Sequence, residues 1–153
     1  MIAINHALTG ALIGLVSGQP LVALPAALLS HFVCDALPHY GNSKGNDTYL
    51  RSKTFATQLT VDISLCFALV LVLFVVQPQH WLLASFCAFI ATSPDFAWLP
   101  GYIRSRRGGS YKVPGQNWAV KAASTIQWFE RPIGGVVEAA WGTGAIVLLV
   151  AYL

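Results

Sequence analysis

The chain has 153 residues, of which 56% are hydrophobic and 10% are charged, and its formal net charge is +3. Soluble domains carry about 25% charged residues, so this chain has too few charges to cover a water-facing surface. Its basic residues lie in polar segments between apolar blocks, which favours membrane orientation over nucleic-acid binding. We therefore expect one integral membrane domain covering residues 1–153, with membrane lipids as its partners and no nucleic acid.

The first two apolar blocks predict a pair of antiparallel helices. Block one covers about residues 2–16 and block two about residues 21–37, and the turn between them at Gln19-Pro20 is short. One face of block one carries three glycines at intervals of four residues: Gly10, Gly14 and Gly18. This spacing makes a backbone groove that lets a neighbouring helix approach closely.

Three further apolar blocks complete the predicted bundle. Residues 54–77 form the clearest membrane-spanning pattern, and residues 79–99 and 133–153 form two more. Ser93-Pro94-Asp95 interrupts the fourth block with residues typical of a helix start, so a new short helix is expected there. Residues 118–130 place aromatic and aliphatic side chains on one helical face, which favours an amphipathic interfacial helix over a plain cytoplasmic loop helix.

The distribution of basic residues predicts the orientation in the membrane. All nine Lys and Arg residues lie in the polar loops at residues 40–53 and 101–117 and in the segment around Arg131. By the positive-inside rule these segments face the cytoplasm. We therefore expect an all-α polytopic bundle of about five transmembrane helices plus one interfacial helix. It would lie in the inner membrane, with the N-terminus inside and the C-terminus outside.

Seven ionisable residues fall at one depth of this predicted bundle, in its cytoplasmic third. They come from five helices: His6, His31, Asp35, His39, Asp62, Asp95 and Glu138. The three on block two are spaced by four residues and share one helix face, and Pro38 ends or bends that helix beside the last of them. Ionisable groups inside a membrane are costly, so a cluster at one level favours a functional site. Asp47 and His80 fall outside the layer and are interpreted as surface residues.

Histidine and carboxylate together favour a site for a divalent metal, either Zn²⁺ or Mn²⁺/Fe²⁺. The preferred ligands are His31, Asp35 and His39, followed by His6. Asp62 and Asp95 are candidates for a further ligand or for the base that activates a metal-bound water. Glu138 has no preferred role, because Trp141 and the small residues around it also fit a packing face. The alternative for all seven residues is that they form hydrogen bonds between helices and neither bind a metal nor catalyse a reaction.

The same residues form three short motifs: an early histidine, HxxxD followed by proline, and a PD pair at a helix end. In this chain they are His6, then His31 and Asp35 with Pro38, and Pro94-Asp95. The set resembles a bacterial family of small inner-membrane proteins described as membrane-bound metal-dependent hydrolases. The resemblance implies a hydrolase activity that depends on a metal. It covers the motifs and the general hydropathy, and the family's further motif with Gly, Thr and His is missing here.

Three functions are consistent with these patterns. The preferred one is a metal-dependent hydrolase acting on a lipid or phosphoester near the cytoplasmic face of the membrane. The second is a small transporter, or a protein that conducts protons or metal ions, with the same residues acting as a relay. The third is a non-catalytic membrane assembly protein whose polar layer only packs helices together. Enzyme activity is therefore a hypothesis at this level, and the metal site is its main support.

Overall fold

A computed structural model of the protein describes residues 1–40, 47–111 and 132–153, and these residues form helices and no β-strand. In chain order the helices are α1 (Ala3–Ser17), α2 (Pro20–Ala36), α3 (Asp47–Arg51), α4 (Lys53–Val76), α5 (Trp81–Thr92), a 3₁₀ helix (Ser93–Trp98), α6 (Leu99–Arg106) and α7 (Gly134–Val150). The all-α prediction is confirmed for this part of the chain. The interfacial helix predicted at residues 118–130 lies outside the described residues.

Helix α1 lies at the centre of the bundle, in contact with α2, α4, α5 and α7. Its glycine face packs directly on α5, as the predicted groove requires. A methyl group built on Gly14 would lie 2.6 Å from the Cα of Ala84, and one on Gly10 would overlap the carbonyl of Cys87. The facing side of α5 is also small, since its buried residues are alanine and cysteine. Small side chains on both helices therefore permit a close approach of the two backbones.

Local backbone chemistry sets the ends of α1 and α2. Gly18 adopts a left-handed conformation with φ 59° and ends α1 at Ser17. Helix α2 ends at Ala36 because Leu37, which precedes Pro38, is held in an extended conformation. Both helices are therefore no longer than the apolar blocks from which they were predicted.

Two helical runs are long and apolar enough to cross a membrane, judged by length and composition alone. They are α4, with 24 residues and a mean hydropathy of 2.7, and the run Trp81–Arg106, with 26 residues and a mean hydropathy of 1.4. Helices α1, α2 and α7 are apolar but have only 15, 17 and 17 residues. A full span needs about 20 residues. The structure thus supports two candidate spans and does not confirm the predicted five.

The short helices α3 and α6 pack on each other and form, with the first turn of α4 and residues 107–111, a segment that we call the cap. Asp47 joins its parts. One carboxylate oxygen accepts from the Ser105 hydroxyl at 2.7 Å and the Tyr111 N–H at 2.8 Å, and the other accepts from the Ser110 hydroxyl at 3.3 Å. The Ser105 bond, followed by the Tyr111 bond, holds the pKa of Asp47 below its usual value. Asp47 is therefore a link between α3 and α6 rather than an ordinary surface residue.

Replacing Gly14 by alanine tests the contact between α1 and α5. The added methyl group would meet the Ala84 backbone, so the free energy of unfolding is expected to fall by about 1–3 kcal/mol, as overpacking of a close contact does. The matched control is Gly144→Ala on α7, where no atom lies within 4 Å of the added carbon. Alanine there is expected to be neutral or to stabilise by about 0.5–1 kcal/mol. Unfolding of the detergent-purified variants measures both effects, and equal midpoints would contradict the packing described above.

Candidate metal centre

Three parts of the chain bring four ionisable side chains into one place. His6 lies near the start of α1, His31 and Asp35 lie one turn apart near the end of α2, and Asp95 lies in the 3₁₀ helix that follows α5. The side chains of the first three are at most 3% exposed, whereas that of Asp95 is 21% exposed. The cluster is therefore shielded from solvent, with Asp95 on its more open side.

Asp35 lies between the two histidine rings. Its Oδ1 is 3.2 Å from His6 Nε2, and its Oδ2 is 3.3 Å from His31 Nε2. Asp95 Oδ1 approaches the same nitrogen of His31 at 3.9 Å. The two rings stack with their centroids 4.2 Å apart. Because His6 is near the start of α1 and His31 near the end of α2, this stacking also requires the two helices to run antiparallel.

The ligand atoms of this cluster are close enough for one metal ion. One atom each from His6, His31 and Asp95 lie within 4.8 Å of one another. Two ligands that each lie about 2.0–2.2 Å from a zinc ion are separated by about 3–4.4 Å. Small side-chain movements would therefore let the three atoms share one ion, with Asp35 beside them.

A backbone contact fixes the orientation of the His31 ring. Its Nδ1 lies 2.8 Å from the carbonyl oxygen of Ala91 on α5. Because a carbonyl can only accept, this nitrogen carries a hydrogen and donates it. Nε2 then presents its lone pair to the two carboxylates unless a second proton makes the ring cationic. Histidines that bind metals typically donate their other N–H to a backbone carbonyl or carboxylate in this way.

The ring of His6 indicates a ligand more directly. It is fully buried, yet neither of its nitrogens has a hydrogen-bond partner among the described residues. The Asp35 oxygen is near Nε2 but lies out of the direction that a hydrogen bond needs. A buried polar group without a partner costs about 1–3 kcal/mol. A cation bound by His6, His31 and the neighbouring carboxylates would remove this cost.

Asp62 and Glu138 are not among the residues whose ligand atoms could share one ion, and both hold the start of α1. Both carboxylate oxygens of Asp62 on α4 accept backbone N–H groups, from Ala3 at 2.7 Å and from Ile4 at 2.8 Å. Glu138 on α7 accepts the N–H of Ile2 at 2.9 Å. The first N–H groups of a helix have no partner within it, and carboxylates there satisfy them and interact favourably with the helix dipole. We therefore assign both residues to anchoring α1, not to the metal or the base.

His39 is separated from the cluster by the end of α2. The predicted spacing of four residues aligns it with the other two only if the helix continues, but α2 ends at Ala36. His39 is buried, and its Nδ1 lies 2.8 Å from the Leu37 carbonyl oxygen. Its backbone packs so closely on Gly134, at the start of α7, that a methyl group there would overlap it. The geometry therefore places His39 at the junction with α7 and outside the candidate ligand set.

Two contributions to this region were missed by sequence reasoning. The Ala91 carbonyl that orients His31 gives no signal, because it belongs to the backbone of an alanine in an apolar block. Asn5 could have been identified from the sequence, because a polar amide near the start of an apolar block needs a buried hydrogen-bond partner. It is buried, and its side-chain N–H donates to the Glu138 carbonyl at 3.1 Å.

The structure divides the six predicted site residues into two groups. His6, His31, Asp35 and Asp95 lie together, whereas His39 and Asp62 do not. No family model matches the chain, and no curated protein or solved structure matches it. The resemblance to membrane-bound metal-dependent hydrolases thus remains an expectation from the motifs.

Replacing Asp62 by alanine distinguishes anchoring from catalysis. The change leaves the N–H groups of Ala3 and Ile4 without acceptors, so the free energy of unfolding is expected to fall by about 1–3 kcal/mol. The matched control is Ser64→Ala on the same helix, whose hydroxyl is exposed and donates only to the Thr60 carbonyl of its own helix. That variant should stay within about 0.5 kcal/mol of the unchanged protein. If Asp62→Ala unfolds like Ser64→Ala and loses only activity, the anchoring role is wrong.

Proposed function

We propose that the protein is an integral membrane protein that binds a divalent metal ion in its His/Asp cluster and hydrolyses an ester or phosphoester of a membrane lipid. The observation that carries the metal site is that ligand atoms of His6, His31 and Asp95 lie within 4.8 Å of one another, with the Asp35 carboxylate against both imidazole rings. Within this cluster, His6 has no hydrogen-bond partner among the described residues. Imidazole with carboxylate suits Zn²⁺, Mn²⁺ or Fe²⁺.

The exposure of apolar side chains supports the membrane part of the proposal. The most apolar stretch of α4 is only 11% buried within the protein. Large side chains on this helix such as Phe67 and Val75 are 72% and 71% exposed. The core helix of a soluble protein would bury them, because apolar surface is costly in water. The positive-inside rule favours an orientation with the cap on the cytoplasmic side, and the motif resemblance favours an inner membrane.

Each residue of the cluster has a distinct place in the proposed reaction. His6 and His31 are the nitrogen ligands, and the Ala91 carbonyl holds the His31 ring in position. Asp35 contacts both rings and also pairs with the amino group of Met1, so its role is to orient the histidines or to complete the ligand set. Asp95 is the most open member. One of its oxygens is close enough to reach the ion, and the other is the candidate proton acceptor for an attacking water. A bound divalent ion would polarise the carbonyl or phosphoryl oxygen of the substrate.

Metal analysis of the purified protein tests the site. We expect near-stoichiometric metal in the unchanged protein and background metal in His31→Asn. The asparagine amide keeps a donor for the Ala91 carbonyl and removes the nitrogen that faces the carboxylates. The matched control is His80→Asn. His80 lies outside the cluster at φ 65°, a left-handed conformation that asparagine tolerates. Equal, sub-stoichiometric metal in all three proteins would overturn the metal site.

Turnover of a lipid ester or phosphoester by the metal-loaded protein tests the reaction. Asp95→Asn is expected to lower kcat by about 10²–10⁴-fold, the usual contribution of a positioned general base. The control is His80→Asn, which lies at the turn joining the two candidate spans, away from both the cluster and the cap, and should leave kcat unchanged. Metal bound without turnover, together with metal or proton flux in vesicles, would instead favour a transporter.

A further inference from the structure

All Lys and Arg residues among the described parts of the chain lie in the cap, and all are exposed. They come from α3, the first residue of α4 and the end of α6: Arg51, Lys53, Arg104, Arg106 and Arg107. Helices α1, α2, α5 and α7 carry none, and α4 carries none after its first residue. The cap is therefore a strongly basic surface at one end of an otherwise apolar bundle.

Hydrogen bonds hold these cations together on one surface. The Arg51 guanidinium donates to the Gly109 carbonyl at 2.6 Å, and the Arg106 guanidinium donates to the Arg51 carbonyl at 2.8 Å. With the bonds made by Asp47, these contacts link α3 to the end of α6. Positive charges from two distant parts of the chain are thus kept side by side.

Asp47 offsets part of their charge through its attraction to Arg51, but most of the charge is not neutralised within the described residues. None of the five cations lies within 4.0 Å of a carboxylate oxygen in the described parts of the chain. Asp47, the one acidic residue of the cap, accepts its hydrogen bonds from neutral hydroxyl and N–H donors. Like charges held together repel one another, and an anion among them removes this cost.

The position of the cap indicates which anion is available. Both candidate spans end there, since α4 begins at Lys53 and the run Trp81–Arg106 ends beside Arg107. The opposite ends of the two spans are joined by residues 77–80, which include no Lys or Arg. Basic residues clustered at the end of membrane helices are attracted to anionic lipid headgroups.

We propose that the cap binds the phosphate groups of anionic membrane lipids. The side chains of Arg104 and Arg107 form no hydrogen bond with the described residues, and guanidinium groups bind phosphate through two parallel hydrogen bonds. The lipid surface is favoured over a soluble phosphate compound because the apolar spans end at the same face. This binding requires neither the metal nor hydrolysis, and it rests only on the membrane part of the proposed function.

The test uses the whole chain in a neutral detergent, with short-chain phosphatidylglycerol as the anionic lipid and phosphatidylcholine of the same chains as the comparison. Phosphatidylglycerol is expected to raise the thermal unfolding midpoint, and phosphatidylcholine is not. The effect should weaken as salt is added, because exposed charges are screened. The double variant Arg104→Gln/Arg107→Gln should bind phosphatidylglycerol about 25-fold more weakly, from about a fivefold factor for each surface cation. The matched control Arg104→Lys/Arg107→Lys keeps both charges but loses the paired guanidinium hydrogen bonds, so its affinity should fall by less than that of the Gln variant.

Four results would overturn the proposal. Two concern the thermal midpoint: an equal rise with both lipids, or a rise with inorganic phosphate alone that equals the rise with phosphatidylglycerol. Two concern the affinity for phosphatidylglycerol: no change in the Gln double variant, or a loss in the Lys double variant as large as in the Gln variant. An equal rise with inorganic phosphate would mean that the cap binds free phosphate. The midpoints in detergent without lipid show whether the variants are folded. If the Gln double variant does not unfold cooperatively, Lys53→Gln replaces it, with an expected loss of about fivefold.

Discussion

The candidate site depends on the close contact between α1 and α5. Gly10 and Gly14 let the backbone of α5 come against α1, and the buried alanines of α5 complete the contact. At the end of this contact the Ala91 carbonyl orients His31, and the 3₁₀ helix that follows carries Asp95 back towards His6. If bulkier residues separated the two helices, the side chains of α1 and of the 3₁₀ helix would be too far apart to share an ion.

In apolar surroundings a polar group needs a partner, and in this region the partner that each carboxylate has found decides its role. Asp62 and Glu138 meet the free N–H groups at the start of α1 and so act as anchors. Asp35 meets two histidine rings. Residues of the same chemical type therefore serve different purposes in this region. Polar groups without hydrogen bonds are costly away from water. The ring of His6, whose nitrogens form no hydrogen bond with the described residues, therefore points to a bound cation.

The cap and the metal centre carry different ionisable groups and lie along one helical run. The cap collects the basic residues, whereas the centre combines neutral or cationic imidazole with carboxylates. Asp95 and Arg104 are separated by nine positions of continuous 3₁₀ and α-helix, which corresponds to about 14–18 Å. The ester and phosphoester bonds of a lipid lie close to its phosphate, so a lipid held at the cap is not at the same time the substrate of the metal centre. The two proposals therefore concern separate binding events.

Much of the helical architecture could be predicted from the sequence, because hydrophobic periodicity, glycine spacing and proline position determine the structure of nearby residues. The apolar blocks, the groove on α1 and the short helix starting at Ser93 are of this kind. His39 was misplaced by the same reasoning, since one extended residue before Pro38 ended α2 and removed the expected register. The different roles of Asp62 and Asp95 could not be predicted from the sequence, because they depend on how the helices pack. Both lie at the same predicted depth, and only the rotation of each helix about its axis, set by its contacts, turns one carboxylate to the backbone of α1 and the other to His31.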